Sequence, residues 1–216
     1  WLDEYYDRGG FKATDADKKH KIDVRNLTEE EYNDLVAYAL ETINWYNRQI
    51  EKLIANDPSF TKKYMPKLIA TKKSLQLGRD YAKAIMKAFP KGIEDHEDGY
   101  LHQAAETRYG TSDNITTEAL SPTANGYGWT STMAKMKESI LKSIQNMLFD
   151  DWHANNNHAS SITHSGRLSQ DKNVKSTKIV SFLPTADGKG FALSIVSYFD
   201  EPQEEMLRPD YKAQAE

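Results

Sequence analysis

Two apolar runs near the C-terminus constrain this chain more than anything else in it. Lys178-Ile179-Val180-Ser181-Phe182-Leu183 and Phe191-Ala192-Leu193-Ser194-Ile195-Val196-Ser197-Tyr198-Phe199 are rich in β-branched and aromatic residues. Pro184 to Gly190 separates them, and the Asp187-Gly188 and Lys189-Gly190 steps suit a loop between antiparallel strands. Both runs are apolar enough to be central strands rather than edges. A hairpin of that kind needs other elements to cover it.

The covering elements are expected from the residues before it, which carry helical patterns. Thr28-Glu29-Glu30-Glu31 is a capping box with acidic residues in the first turn. Tyr32, Leu35, Val36, Ala39, Ile43, Tyr46, Ile50, Leu53 and Ile54 then recur three and four apart. That spacing buries one face for about seven turns, until Asn56-Asp57-Pro58 ends the helix. Residues 57–73 read as a connection with Pro58, Pro66 and a cluster of lysines. A second helix follows, with Leu75, Gly78, Tyr81, Ala82, Ile85, Ala88 and Phe89 on one stripe, and Pro90-Lys91-Gly92 stops it. Gly78 on that stripe predicts close approach to another backbone.

A short helix is expected near 101–109, with loops over Gly110 to Ile115 and over 121–130. The last helix is capped by Thr130 or Ser131 and buries Met133, Met136, Ile140, Leu141, Ile144, Met147 and Leu148. Helices first and a closing hairpin give an α+β protein, an α-β-α sandwich with helices packed around a small antiparallel sheet. Residues 1–27 read as an N-terminal arm or linker without regular structure, in which His20 is a solvated residue. Residues 28–200 form the domain, and the polar tail 201–216 is a linker or the start of a stalk. The opening at Trp1 rather than Met reads as a piece of a longer protein.

Composition removes several function classes. The formal net charge is −4, and no dense Lys/Arg run is interleaved with aromatics, so no nucleic-acid face is expected. No run approaches the ~18 apolar residues of a membrane span, and no signal-peptide pattern is visible. The absence of cysteine excludes disulfides, thiol catalysis and Cys-ligated zinc, and fits an extracellular or a cytosolic home equally.

Candidate chemistry concentrates between Phe149 and Ile162, where Asp150, Asp151, His153 and His158 fall within nine residues. Extending the buried helical face from Ile144 and Met147 reaches Asp151, with Asp150 about 100° round the helix. Asp151 is therefore expected to point inward at a helix C-terminus. The macrodipole and burial both oppose an anion there, so it calls for a compensating partner. His96, His102, Asp113 and His164 complete the candidate set. Imidazole with carboxylate suits zinc and related divalent ions, or general acid–base work. Each residue also has a plainer reading. His102, His153 and His164 suit a solvated surface, Asp113-Asn114 a turn, Asp150 a helix end, and the methionines a core.

In order along the chain, Ile43-Asn44-Trp45-Tyr46-Asn47-Arg48, Arg79-Asp80-Tyr81-Ala82, His96-Glu97, Asp113-Asn114-Ile115 and Phe149-Asp150-Asp151 with His158-Ala159 resemble the CAP superfamily. This is the SCP-like group of cysteine-rich secretory, antigen 5 and pathogenesis-related domains. The likeness is to its Gram-positive surface-exclusion branch and spans about residues 28–200. It implies a cleft with two histidines and two acids that binds a divalent metal in some members: zinc, calcium or magnesium. By motif, His96 and His158 are the histidines, Asp113 the first acid, and Asp150 or Asp151 the second. His102 competes with His96. Asp113 stands where the family has Glu, one methylene longer.

The resemblance implies an extracellular domain attached to the cell wall or surface, with an oligomer formed through an adjoining stalk. One reading is a metal-dependent or acid–base peptidase that acts on a surface adhesin and limits conjugation or aggregation. In it, His96, Asp113, Asp151 and His158 are catalytic. The other is a non-catalytic module that binds a peptide, lipid or glycan.

Overall fold

The computed structural model describes residues 13–57, 63–95, 115–124, 128–150, 157–163 and 168–198, with 115–124 as backbone alone. In chain order these form α1 (Asp15–Lys19), β1 (Lys21–Asp23), a 3-10 turn (Val24–Asn26), α2 (Glu29–Ile54), β2 (Lys67–Ile69) and α3 (Lys72–Ala88). There follow β3 (Ile115–Ala124), β4 (Thr130–Thr132), α4 (Met133–Phe149), α5 (Asn157–Thr163), β5 (Lys175–Pro184) and β6 (Gly190–Tyr198).

The predicted hairpin is the middle of a four-stranded sheet ordered β2-β5-β6-β3. β5 and β6 pair antiparallel from Thr177↔Tyr198 to Pro184↔Phe191. β3 runs antiparallel along β6 with a register shift between Thr116 and Glu118, and β2 pairs parallel with the first residues of β5. Gly188 turns the hairpin with φ +70°, and Asp187 accepts from the Lys189 N–H at 2.9 Å.

Alternation sorts the side chains of the central strands onto two faces. Ile179, Leu183, Ala192, Val196 and Tyr198 pack with Leu77, Tyr81 and Ile85 of α3. Val180, Phe182, Phe191, Leu193 and Ile195 join the larger cluster built from α2, α4 and Ile162 of α5. Fully burying side chains such as Ile43, Ile140 and Leu193 contributes about 1.5–3 kcal/mol each. Helices therefore cover both faces of the sheet, as an α-β-α sandwich requires.

α2 carries the expected capping box: the Thr28 hydroxyl accepts from the Glu31 N–H, and Glu31 accepts from the Thr28 N–H at 2.8 Å. Its burial runs from Tyr32 to Asn47 and then stops, with Leu53 39% exposed. The apolar stripe thus outlasts the packing by two turns. Gly78 behaves as predicted. A Cβ there would fall well inside contact distance of the Tyr32 hydroxyl and the Val180 carbonyl, where α2, α3 and β5 meet.

Four local expectations need correction. The segment before Thr28 is not without regular structure. Thr14 caps α1, and β1 pairs with β4, joining Lys21 to Thr132. His20 is not merely solvated, because its Nε2 lies 2.7 Å from Glu31 Oε1. Residues 67–69 of the supposed connection form an edge strand, fixed by Asn44, whose side chain bonds the N–H and C=O of Leu68 at 2.8 and 2.9 Å. Ile115 and residues 121–124, read as parts of two loops, belong to β3, the opposite edge. The helix expected near 101–109 lies outside the described residues.

Candidate functional site

α4 brings the chain to the candidate stretch. Thr132, not Thr130 or Ser131, caps it by accepting from the Lys135 N–H at 3.3 Å. Met133, Met136, Ile140, Ile144 and Met147 are its buried apolar stripe. The helix runs parallel to α2. Lys137 meets Asp34 at one end, while at the other Gln145 donates to the Tyr46 hydroxyl at 2.8 Å and Phe149 stacks edge-on to Tyr46.

α4 ends at Phe149. Asp150 leaves the helical region with φ −127° and ψ 41°, its N–H still bonded to the Asn146 carbonyl, and its side chain is exposed. Asp150 thus matches the plainer reading of a solvated helix end. The helical phase that aimed Asp151 inward stops two residues before it, at Phe149, and Asp151 itself lies outside the described residues.

His158 sits half-buried on α5, which packs against β3, β6, α4 and α2 and is anchored by the buried Ile162. The remaining members of the predicted set, His96 and Asp113, and the competitors His102, His153 and His164, lie outside the described residues. Among the described residues no three His, Asp or Glu side chains gather as a metal-ligand set.

Sequence reasoning passed over three polar groups in the core on this side of the sheet. Lys178 Nζ donates to Ser197 Oγ at 2.7 Å, and both residues are 1% exposed. Lys178 alternates with Val180 and Phe182, and Ser197 with Ile195 and Leu193, so both project toward the α2/α4/α5 layer. Asn47 is 3% exposed, and neither polar atom of its side chain has a hydrogen-bond partner among the described residues. The signal was present in one case: a lysine heads an otherwise apolar strand.

Two electrostatic perturbations among the described residues lie elsewhere, on α2. Burial pushes the Tyr32 hydroxyl far up, and it donates to the Val180 carbonyl at 2.6 Å. Burial raises the Glu31 carboxyl, but the Thr28 N–H and His20 outweigh it and hold that group below its ordinary value. Both are structural bonds of α2, not site chemistry.

No protein-family profile matches the chain, and comparison with characterised proteins finds no sequence match. Among solved structures, the CAP domain of Enterococcal PrgA superposes on it with a TM-score of 0.57. That likeness covers 95% of this chain and 73% of the other, at 18% identity. The fold is CAP-like. It agrees with the motif resemblance and with the α-β-α architecture.

Proposed function

We propose that this is a CAP domain of the surface-exclusion type, acting outside the cell on a surface adhesin. The observation that carries the reading is the fold likeness to the CAP domain of Enterococcal PrgA over nearly the whole chain. The motif order read from the sequence supports it independently. No helix among the described residues is long and apolar enough to cross a membrane.

In this reading the domain is a peptidase, and His158 relays a proton while a carboxylate of the 150–151 pair orients water. A divalent ion, where bound, would polarise the scissile carbonyl or activate that water. The imidazole and carboxylate donors suit zinc, with calcium and magnesium as oxygen-preferring alternatives. Of the expected donors, Asp150 and His158 are the two described. Incubation with a purified adhesin, followed by mass spectrometry of the products, tests the reading. His158→Ala and Asp151→Ala are each expected to lower cleavage about 100-fold or more. Undiminished cleavage in both variants rejects the assignment.

One observation favours a non-catalytic module instead. An open surface pocket of about 420 Å³ lies at the end of α3, lined by Ala88, Phe89, Pro90, Lys91, Gly92 and Glu94. Its lining combines apolar side chains with one charge of each sign, which suits a peptide segment. Protection of Phe89 and Lys91 from footprinting by the adhesin, with no cleavage, would select this reading.

A further inference from the structure

The outer face of α3 carries charge that neither the packing nor the candidate site uses. Along this helix Lys72, Lys73, Arg79, Lys83 and Lys87 stand against Asp80 alone, in a chain whose formal net charge is −4. At about 100° per residue, Lys72, Gln76, Lys83 and Lys87 fall on one stripe, with Lys73 on its flank. That stripe lies opposite the buried Ser74, Gly78, Tyr81 and Ile85, and all four of its lysines are exposed.

Helix stability does not account for them. The first turn of a helix favours acids and opposes cations, and α2 accordingly opens on Glu29-Glu30-Glu31. α3 opens on Lys72-Lys73 and has no acid in that turn. Arg79 is drawn inward, to Glu29 at 3.3 Å and Gln76 at 2.8 Å, and Gln76 donates to Asp80 at 2.8 Å. Lys73, Lys83 and Lys87 form no ion pair among the described residues.

The stripe leads to the pocket at the end of the helix, where Lys91 stands beside Phe89 and Pro90. This turn is fixed in place. The Gly92 N–H donates to the Phe89 carbonyl at 2.9 Å, the Ile93 N–H to the Pro184 carbonyl at 2.9 Å, and the Ala186 N–H to the Ile93 carbonyl at 2.8 Å. Glu94 and Asp95 follow and end the positive stretch.

We propose that this face is a docking surface for an acidic peptide segment of a partner protein. Its carboxylates lie along Lys83 and Lys87, and an apolar residue enters the pocket at Phe89. The proposal rests on the pocket reading given above and is independent of any cleavage at His158. Charge complementarity sets the sign of the partner. The pocket selects a peptide over a phosphate polymer, which has no apolar side chain to place there. From Lys72 to Lys87 the helix rises about 22 Å, the span of about seven extended residues.

The test is fluorescence anisotropy of the full chain with a labelled peptide of alternating Glu and Gly that has leucine at both ends. Wild type is expected to bind it, with affinity falling about tenfold or more from low to high salt. Lys83→Glu/Lys87→Glu is expected to lose about tenfold or more. Ala88→Gln, which fills the pocket, should lose about tenfold. Lys52→Glu/Lys142→Glu makes the same charge change at exposed positions of α2 and α4 and should bind as wild type does. His158→Ala should also bind as wild type does, whatever the cleavage assay shows. Unchanged thermal unfolding shows that the variants fold. No binding by wild type, equal losses in the two charge-reversed pairs, or undiminished binding when Gln replaces Glu in the peptide overturns the proposal. So does tighter binding to inorganic polyphosphate or to phosphatidylglycerol vesicles than to the peptide. A loss in Lys83→Glu/Lys87→Glu without one in Ala88→Gln fails the pocket reading and leaves the basic face as the docking surface.

Discussion

The two faces of the central sheet are built by opposite means. On the α3 face a glycine lets two backbones meet, and the Ser181 hydroxyl donates to the Gly78 carbonyl at 2.9 Å to complete the contact. On the α2/α4/α5 side the core admits buried charge: Lys137 between two aspartates, and Lys178 beside Ser197. The first face should fail when an atom is added. The second should fail when a charge loses its partner. Tight packing excludes chemistry, whereas a layer with room for an ammonium and an amide can host it.

The largest effect is expected on the charged side. Lys137 is 2% exposed and lies 2.9 Å from Asp17 and 3.3 Å from Asp34. Lys137→Ala leaves the largely buried Asp34 without its cation and should cost about 3–5 kcal/mol in denaturant unfolding. A loss under about 1 kcal/mol would mean that this side tolerates unpaired charge. On the tight face, Gly78→Ala should cost about 1–3 kcal/mol, read as a lowered Tm, since the added Cβ would meet the Tyr32 hydroxyl and the Val180 backbone carbonyl inside contact distance. A neutral result there would erase the contrast between the faces.

Smaller effects sharpen it at the edge where the faces join. Thr28→Ala removes the cap of α2 and should cost about 1 kcal/mol by the same unfolding measurement. The pH dependence should be weaker still. Glu31 is held below its unfolded value of 4.5, so its contribution is present at neutral pH and disappears as pH falls from 4.5 through the lower folded value. Glu31→Gln should flatten that part of the stability profile. An unchanged slope would show that His20 and the cap do not act through this carboxyl.

What could be read from sequence follows the same division. Strong periodicity exposed α2, α3, α4 and the hairpin, because each buries a full apolar face. Gly78 was legible because a glycine on a buried stripe leaves a gap that only a close neighbour fills. The edges were not. β2 is three residues long and held by Asn44 rather than by its own pattern, and β3 carries Thr116, Ser121 and Pro122, residues suited to an edge but typical of a loop. α1 buries no residue and β1 only Ile22, and both depend on Lys137 and on pairing with β4, distant in sequence. At the candidate site, residue types nominated His158 and Asp150, but the helical phase could not show that α4 stops at Phe149. Lys178 was hidden because strand patterns are scored on apolar residues, and one lysine among them reads as an end.

The pairing of β1 with β4 also has a practical consequence for anyone handling this molecule. The His20 carbonyl accepts the N–H of Met133, so the chain enters beside the first turn of α4. Asp150 lies at the other end of that helix, about 25 Å away at 1.5 Å per residue over its 17 residues. A fluorophore, bead or surface linker attached through the exposed Lys21, which pairs with Thr132, would therefore be moored at the pole opposite Asp150. Immobilisation through that side should leave the Asp150 end facing solution, where a captured ligand can be washed on and off.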